Sequence, residues 1–99
     1  MDACVCRYQF DKSLDITDVE ATVTLAVLAT ESLHGEPRVR LEARHSFDAN
    51  SRSCTIDATN EAGVDLNRLF LGFMSREFGR DSFQVEMLGA DSSPLTPAA

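Results

Sequence analysis

Apolar and polar residues alternate with a period of two in four stretches of this chain and with a helical period in two others. Their order predicts strand, helix, strand, strand, helix, strand. In the first stretch, Ala3 to Phe10, the set Cys4, Cys6, Tyr8 and Phe10 alternates with Ala3, Val5, Arg7 and Gln9. That is the pattern of a half-buried strand. The bulkier set holds both aromatics and is assigned to the core, which leaves Arg7 and Gln9 on the opposite face.

Two helices follow from caps and stripes. Thr17-Asp18-Val19-Glu20 fits a capping box, with the threonine hydroxyl accepting from the third helical amide and Glu20 reaching back. Helical spacing continues to His34, where Gly35 supplies a terminator and Pro37 is read as preventing resumption. Val19, Val23, Ala26, Thr30 and Leu33 form the core stripe, yet Ala21 to Thr30 contains no charge on any side. Val27 and Leu28 interrupt the side that should be wet, which gives this helix two apolar sides. The second helix is capped near Thr59 or Asn60 and ends at Phe78 before Gly79. Leu66, Leu69, Phe70, Phe73 and Met74 mark its buried side. Its polar stripe is interrupted by Gly72, a position where a second backbone could approach closely.

The remaining strands are read as Arg38 to Phe47, Ser53 to Ala58 and Ser82 to Leu88. In the first of these, Val39, Leu41, Ala43, His45 and Phe47 face one way and Arg38, Arg40, Glu42, Arg44 and Ser46 the other. The turn formers Asp48-Ala49-Asn50-Ser51 join it to the next strand as a hairpin. Pairing Phe47 with Arg52 sets His45 against Cys54, Ala43 against Ile56 and Leu41 against Ala58, so apolar residues meet apolar residues. Glu42 would then oppose Asp57, with Arg40 and Arg44 as diagonal cations.

Two strand–helix–strand halves joined by a hairpin resemble the split β-α-β plan of the ferredoxin-like fold. The resemblance covers about residues 3–88 and implies an α+β sandwich. Its four-stranded antiparallel sheet would have the order 4-1-3-2, with two helices on one face. The expected core is Tyr8, Phe10, Val23, Leu41, Ile56, Leu66, Phe70, Phe73 and Val85. Residues 1–88 read as one domain and residues 89–99, small and proline-containing, as a flexible tail.

Composition narrows the function classes. The 99-residue chain is 43% apolar and 25% charged, ordinary values for a globular domain. No stretch approaches the ~18 uninterrupted apolar residues that indicate a membrane span. The start, MDACVCRYQF, has neither a basic leader nor an apolar signal core, so a cytoplasmic protein is expected. Sixteen acids against nine bases give a net charge of −7, which argues against nucleic-acid binding. Three cysteines, an odd number, read as reduced core thiols. Cys4-x-Cys6 has too short a spacing for the usual metal ligand pair, so no metal and no cofactor is expected.

Families of this architecture can be tested against residues. Acylphosphatases imply a glycine-rich, arginine-bearing turn after the first strand, whereas Asp11-Lys12-Ser13-Leu14-Asp15 has no glycine and two acids. RNA-recognition motifs imply aromatics on the open sheet face, where Arg7, Gln9, Thr55 and Asp57 are expected instead. Heavy-metal-binding domains imply two cysteines separated by two residues in the first loop, which are not present. Small-molecule regulatory domains of the same topology have weak signatures that the residues neither carry nor oppose. For catalysis, His45 alternates with core positions and His34 sits in a helical last turn, where a cation is favoured structurally. No nucleophile motif or phosphate loop accompanies either histidine, so no reaction and no catalytic residue is nominated.

Two features stand out from the ordinary pattern. Arg7, Arg38, Arg40 and Arg44 would gather on one sheet face, either as a charge lattice that relieves Glu42 and Asp57 or as a site for an acidic protein partner or a small anionic ligand. Val27, Leu28 and Gly72 would form an oligomer interface, with a homodimer expected. The resulting expectation is a small cytoplasmic interaction or ligand-binding module that self-associates. The alternatives are an enzyme or enzyme subunit whose site forms at an oligomer interface, and a small-molecule-binding regulatory domain.

Overall fold

The computed structural model describes residues 4–89, and the tail expected beyond them lies outside the described residues. The elements are β1 (Cys4–Phe10), α1 (Ile16–His34), α2 (Glu36–Glu42), β2 (His45–Asp48), β3 (Ser53–Ala58), α3 (Glu61–Phe78) and β4 (Phe83–Gly89), with a 3-10 turn at Arg80–Ser82. The described residues are thus α+β, with three helices and a four-stranded antiparallel sheet. The strand order is β2-β3-β1-β4, which reads 4-1-3-2 when counted from the β4 edge. No described helix is long and apolar enough to cross a membrane.

Alternation in β1 decides which sheet face is covered. Cys6, Tyr8 and Phe10 are buried while Arg7 and Gln9 are exposed. The Tyr8 ring meets Phe70 of α3 edge-on at 4.8 Å, and Phe10 meets the same ring at 6.2 Å. The Tyr8 hydroxyl donates to Asn67 Oδ1 at 2.6 Å, so the one polar atom carried into this cluster is satisfied. Burial pushes the Tyr8 phenol pKa upward. Val19, Val23 and Ala26 of α1 join the same core, and buried Thr30 stays satisfied by donating to the Ala26 carbonyl at 2.7 Å.

The helix caps are partly those expected. Asn60 caps α3 by accepting from Gly63 N at 2.9 Å, and Gly79 ends it at φ 89°. In α1 the cap is Asp15 rather than Thr17, accepting from Thr17 N at 2.9 Å. Leu14 and Val19 then occupy the positions of a hydrophobic staple, which explains why the earlier residue prevails.

The largest correction is at residues 36–44. The strand expected from Arg38 is helix α2, and β2 begins only at His45. Pro37 does not stop the chain from turning. It sits in the first turn of α2, where its missing amide has no intrahelical duty and its fixed φ suits the helix. Spacings of four reinforce the helix: Arg40 pairs with Glu36 at 2.5 Å and Arg38 with Glu42 at 2.9 Å. Val39 and Ala43 are buried, whereas Leu41, expected in the core, is 75% exposed.

With α2 present the hairpin register moves by two residues. His45 opposes Ile56 and Phe47 opposes Cys54, so each side chain keeps its face. The loop is Ala49 to Arg52, where the Asp48 carboxylate accepts from Asn50 N at 3.0 Å and Arg52 adopts φ 53°. The expected Glu42–Asp57 opposition does not occur. Glu42 is held by Arg38, and Asp57 accepts from the Thr59 amide at 3.0 Å.

Candidate functional site

The outer surface of α1 has an unusual spacing for a solvated helix side. Ala21, Leu25, Leu28 and Ser32 recur at intervals of four, three and four, the seam of a helix that packs against another helix. Val19, Val23, Ala26 and Thr30 already turn to the core, so this seam is a second apolar side. Leu25 is 59% and Leu28 53% exposed. Their neighbours across a groove of about 720 Å3 include Phe73 and Arg76 of α3, with Asp18 and Glu77 at one end.

Leu28, expected at an interface, therefore lies in this groove. Val27 does not share it. That side chain is half-buried against the core and lines a different depression, beside α2. Gly72 is exposed on α3, and a methyl group added there would meet nothing within 4 Å. Leu25 was not singled out from the sequence, although the 4-3-4 spacing around Leu28 was readable, and Phe73, expected in the core, is half-buried and lines this groove.

The four expected arginines do not form one sheet face. Arg7 projects from β1 on the open face, with Glu86 beside it in register. Arg38 and Arg40 belong to α2, because this segment is helical. Arg38 donates to Glu42 and, at 3.1 Å, to Glu61 of α3, and these carboxylates raise its pKa above the ordinary arginine value. Arg40 is held by Glu36. Arg44 precedes β2 and makes no ion pair among the described residues. Arg40, Arg44 and His45 do meet around a shallow depression of about 470 Å3 that also contains Glu31, Val39 and Ala43.

The histidines are separated by the fold. His34 Nε2 lies 2.8 Å from Asp65 Oδ2 and ties the end of α1 to α3. His45 is exposed, with Nδ1 3.2 Å from the Ala43 carbonyl. No nucleophilic side chain is bonded to either ring among the described residues. All three cysteines are free thiols, and Cys4 Sγ lies 3.8 Å from Cys6 Sγ. Burial pushes the Cys54 thiol up to about 12, and burial together with the Cys4 contact does the same for Cys6. Among the described residues no group of three or more His, Cys, Asp or Glu side chains converges to hold a metal ion.

No family model matches the chain, and no curated protein or solved structure is detectably similar to it.

Proposed function

We propose that this chain is a ferredoxin-like, self-associating interaction module whose α1–α3 outer face receives the same face of a second copy. The ferredoxin-like reading is supported by the two β-α-β halves and the sheet order, with α2 as an addition to the first crossover. One observation carries the self-association: two half-exposed leucines stand at the centre of an uncharged helix seam on an otherwise acidic chain. Two copies of a net −7 protein repel at long range, and the contact that costs least charge repulsion runs through Ala21 to Thr30. Antiparallel packing about a two-fold axis sets Leu25 against Leu28 of the other copy, with the small residues Ala21 and Ser32 at the ends. The two helix dipoles then oppose each other favourably.

Leu28→Glu tests this reading. An isologous contact contains every substitution twice, so the association constant falls at least ~100-fold, the equivalent of about 3 kcal/mol. Sedimentation equilibrium reads the loss as a lower mass, with the monomer's melting temperature unchanged. An unchanged mass, or a lower melting temperature with the same mass, overturns the proposal.

A second reading is favoured by Arg44, whose guanidinium has no carboxylate partner among the described residues and stands beside His45 and an apolar floor. A small carboxylate or phosphate group suits that fork. Titration with acetate and with inorganic phosphate shifts the His45 resonances, and Arg44→Ala abolishes the shift. Resonances that stay still in both titrations refute it.

A further inference from the structure

β4 is the longer edge of the sheet. It pairs with β1 along one side, and no described strand lies along the other. The β2 edge is four residues long, whereas β4 extends over seven. An edge is ordinarily blunted by proline, lysine or a bulge. β4 reads FQVEMLG and keeps unbroken register with β1 from Phe83 opposite Phe10 to Gly89 opposite Cys4. Its side chains are also incompletely covered. Val85 and Met87 share the helix side with their register neighbours Tyr8 and Cys6, which are fully buried, yet they are themselves 36% and 65% exposed.

We infer that β4 pairs antiparallel with β4 of a second copy, joining the two sheets into one, with Val85 on the two-fold axis. The choice of register follows from the side chains. A two-fold axis perpendicular to the sheet keeps each residue on its own face, so only every second register is allowed. Centring on Glu86 sets two carboxylates directly against each other, which is unfavourable. Centring on Gln84 sets Met87 against Asp81. Centring on Val85 avoids both: Val85 meets Val85 of the second copy, Gln84 meets Glu86, and Phe83 meets Met87. The rows of the sheet then continue across the axis. On the helix side Cys6 and Met87 run on into Phe83 and Phe10 of the second copy. On the open face Arg7 and Glu86 run on into Gln84 and Gln9. The contact shares no residue with the α1–α3 face, and with both in place the chain assembles beyond two copies.

Cysteine crosslinking tests the register. Directly opposed Cβ atoms lie about 4.5–5.5 Å apart, close enough for a disulfide after small adjustment, whereas diagonal positions are about 7–8 Å apart. In a Cys4→Ser background, Val85→Cys treated with diamide gives a covalent dimer as the main product, while Gln84→Cys stays predominantly single-chain. Val85→Lys, at a position already exposed, lowers the assembled mass to two copies, and combination with Leu28→Glu yields single chains. The proposal is overturned if Val85→Cys gives no more dimer than Gln84→Cys, or if Val85→Lys leaves the mass unchanged. Failure of the α1–α3 contact reads differently: Leu28→Glu leaves the mass unchanged while Val85→Cys still crosslinks.

Discussion

Two glycines in one helix make a sharp test of how α3 sits on the sheet. At Gly63 a Cβ atom would lie 2.0 Å from the Asp57 carbonyl oxygen and 3.3 Å from Ala58 Cα. Opening the first contact to even 3.0 Å, the closest that real Cβ atoms approach, moves the start of α3 by about 1 Å. That start is tethered by Asn60, which accepts from the Gly63 amide at 2.9 Å and donates to the Glu42 carbonyl at 2.6 Å. Overpacking costs about 1–3 kcal/mol and a disturbed cap about 1 kcal/mol more. The intrinsic helix preference for alanine returns about 1 kcal/mol. Gly63→Ala should therefore destabilise the fold by about 1–3 kcal/mol. Gly72 has the same chemistry and nothing within 4 Å, so Gly72→Ala retains only the helix preference and stabilises by about 1 kcal/mol. For a domain of this size, about 4–8 °C per kcal/mol separates the two variants widely in melting temperature. Urea unfolding with an unchanged slope is the assay. If both alanines raise stability, α3 does not approach β3 as described. If Gly72→Ala weakens self-association, Gly72 belongs to the contact.

Alkaline pH should loosen the core. Cys6 and Cys54 hold their protons to about 12 in the native fold, against an ordinary thiol value of 9.0 that the unfolded chain regains. Their contribution is complete below pH 9 and is lost as pH rises toward 12, by up to about 1.4 kcal/mol per pH unit for each thiol. Urea midpoints at pH 7.5, 9 and 10.5 should show the fall, and Cys54→Ala should flatten it; equal slopes for the two proteins contradict the burial argument. Arg52 should act as a staple for the β1–α1 loop, because its guanidinium donates to the Asp11 carbonyl at 2.8 Å and also to the Leu14 carbonyl. Arg52→Ala should cost about 2 kcal/mol, and Arg52→Gly about 1 kcal/mol less, since glycine relieves the positive φ. Thermal melts of the pair check the order, and an alanine variant as stable as the parent refutes the staple.

β1, β3 and α3 were legible because their signals agree at every level: strict alternation with aromatics on one face, or an asparagine cap, an apolar stripe and a terminal glycine. Residues 36–44 were not, for a physical reason. Over so short a window Val39 and Ala43 share a face in a strand and in a helix alike, and the decision falls to Pro37 and the Glu36–Arg40 spacing. Reading that segment as a strand created the arginine face, and the helix dissolves it into local ion pairs. Val85 alternates correctly, yet alternation reports only the side of the sheet and not whether a helix reaches the edge to cover it. Gly63 carried no signal at all, since its value lies in the backbone of β3, distant in sequence. In α1 the uncharged run was legible as a second apolar side, and only the fold separates Val27, packed toward α2, from Leu28 in the groove.

The proposed contact between α1 helices is open to a direct measurement. Chains with labelled leucine methyls, mixed with unlabelled chains, report protons close to one another in different copies through isotope-filtered NOEs. The predicted result is intermolecular NOEs linking Leu25 methyls to Leu28 methyls, together with contacts from Leu28 to Ala21, all absent in Leu28→Glu. Intermolecular NOEs confined to other surfaces, or none at concentrations where the chain sediments as more than one copy, would contradict it.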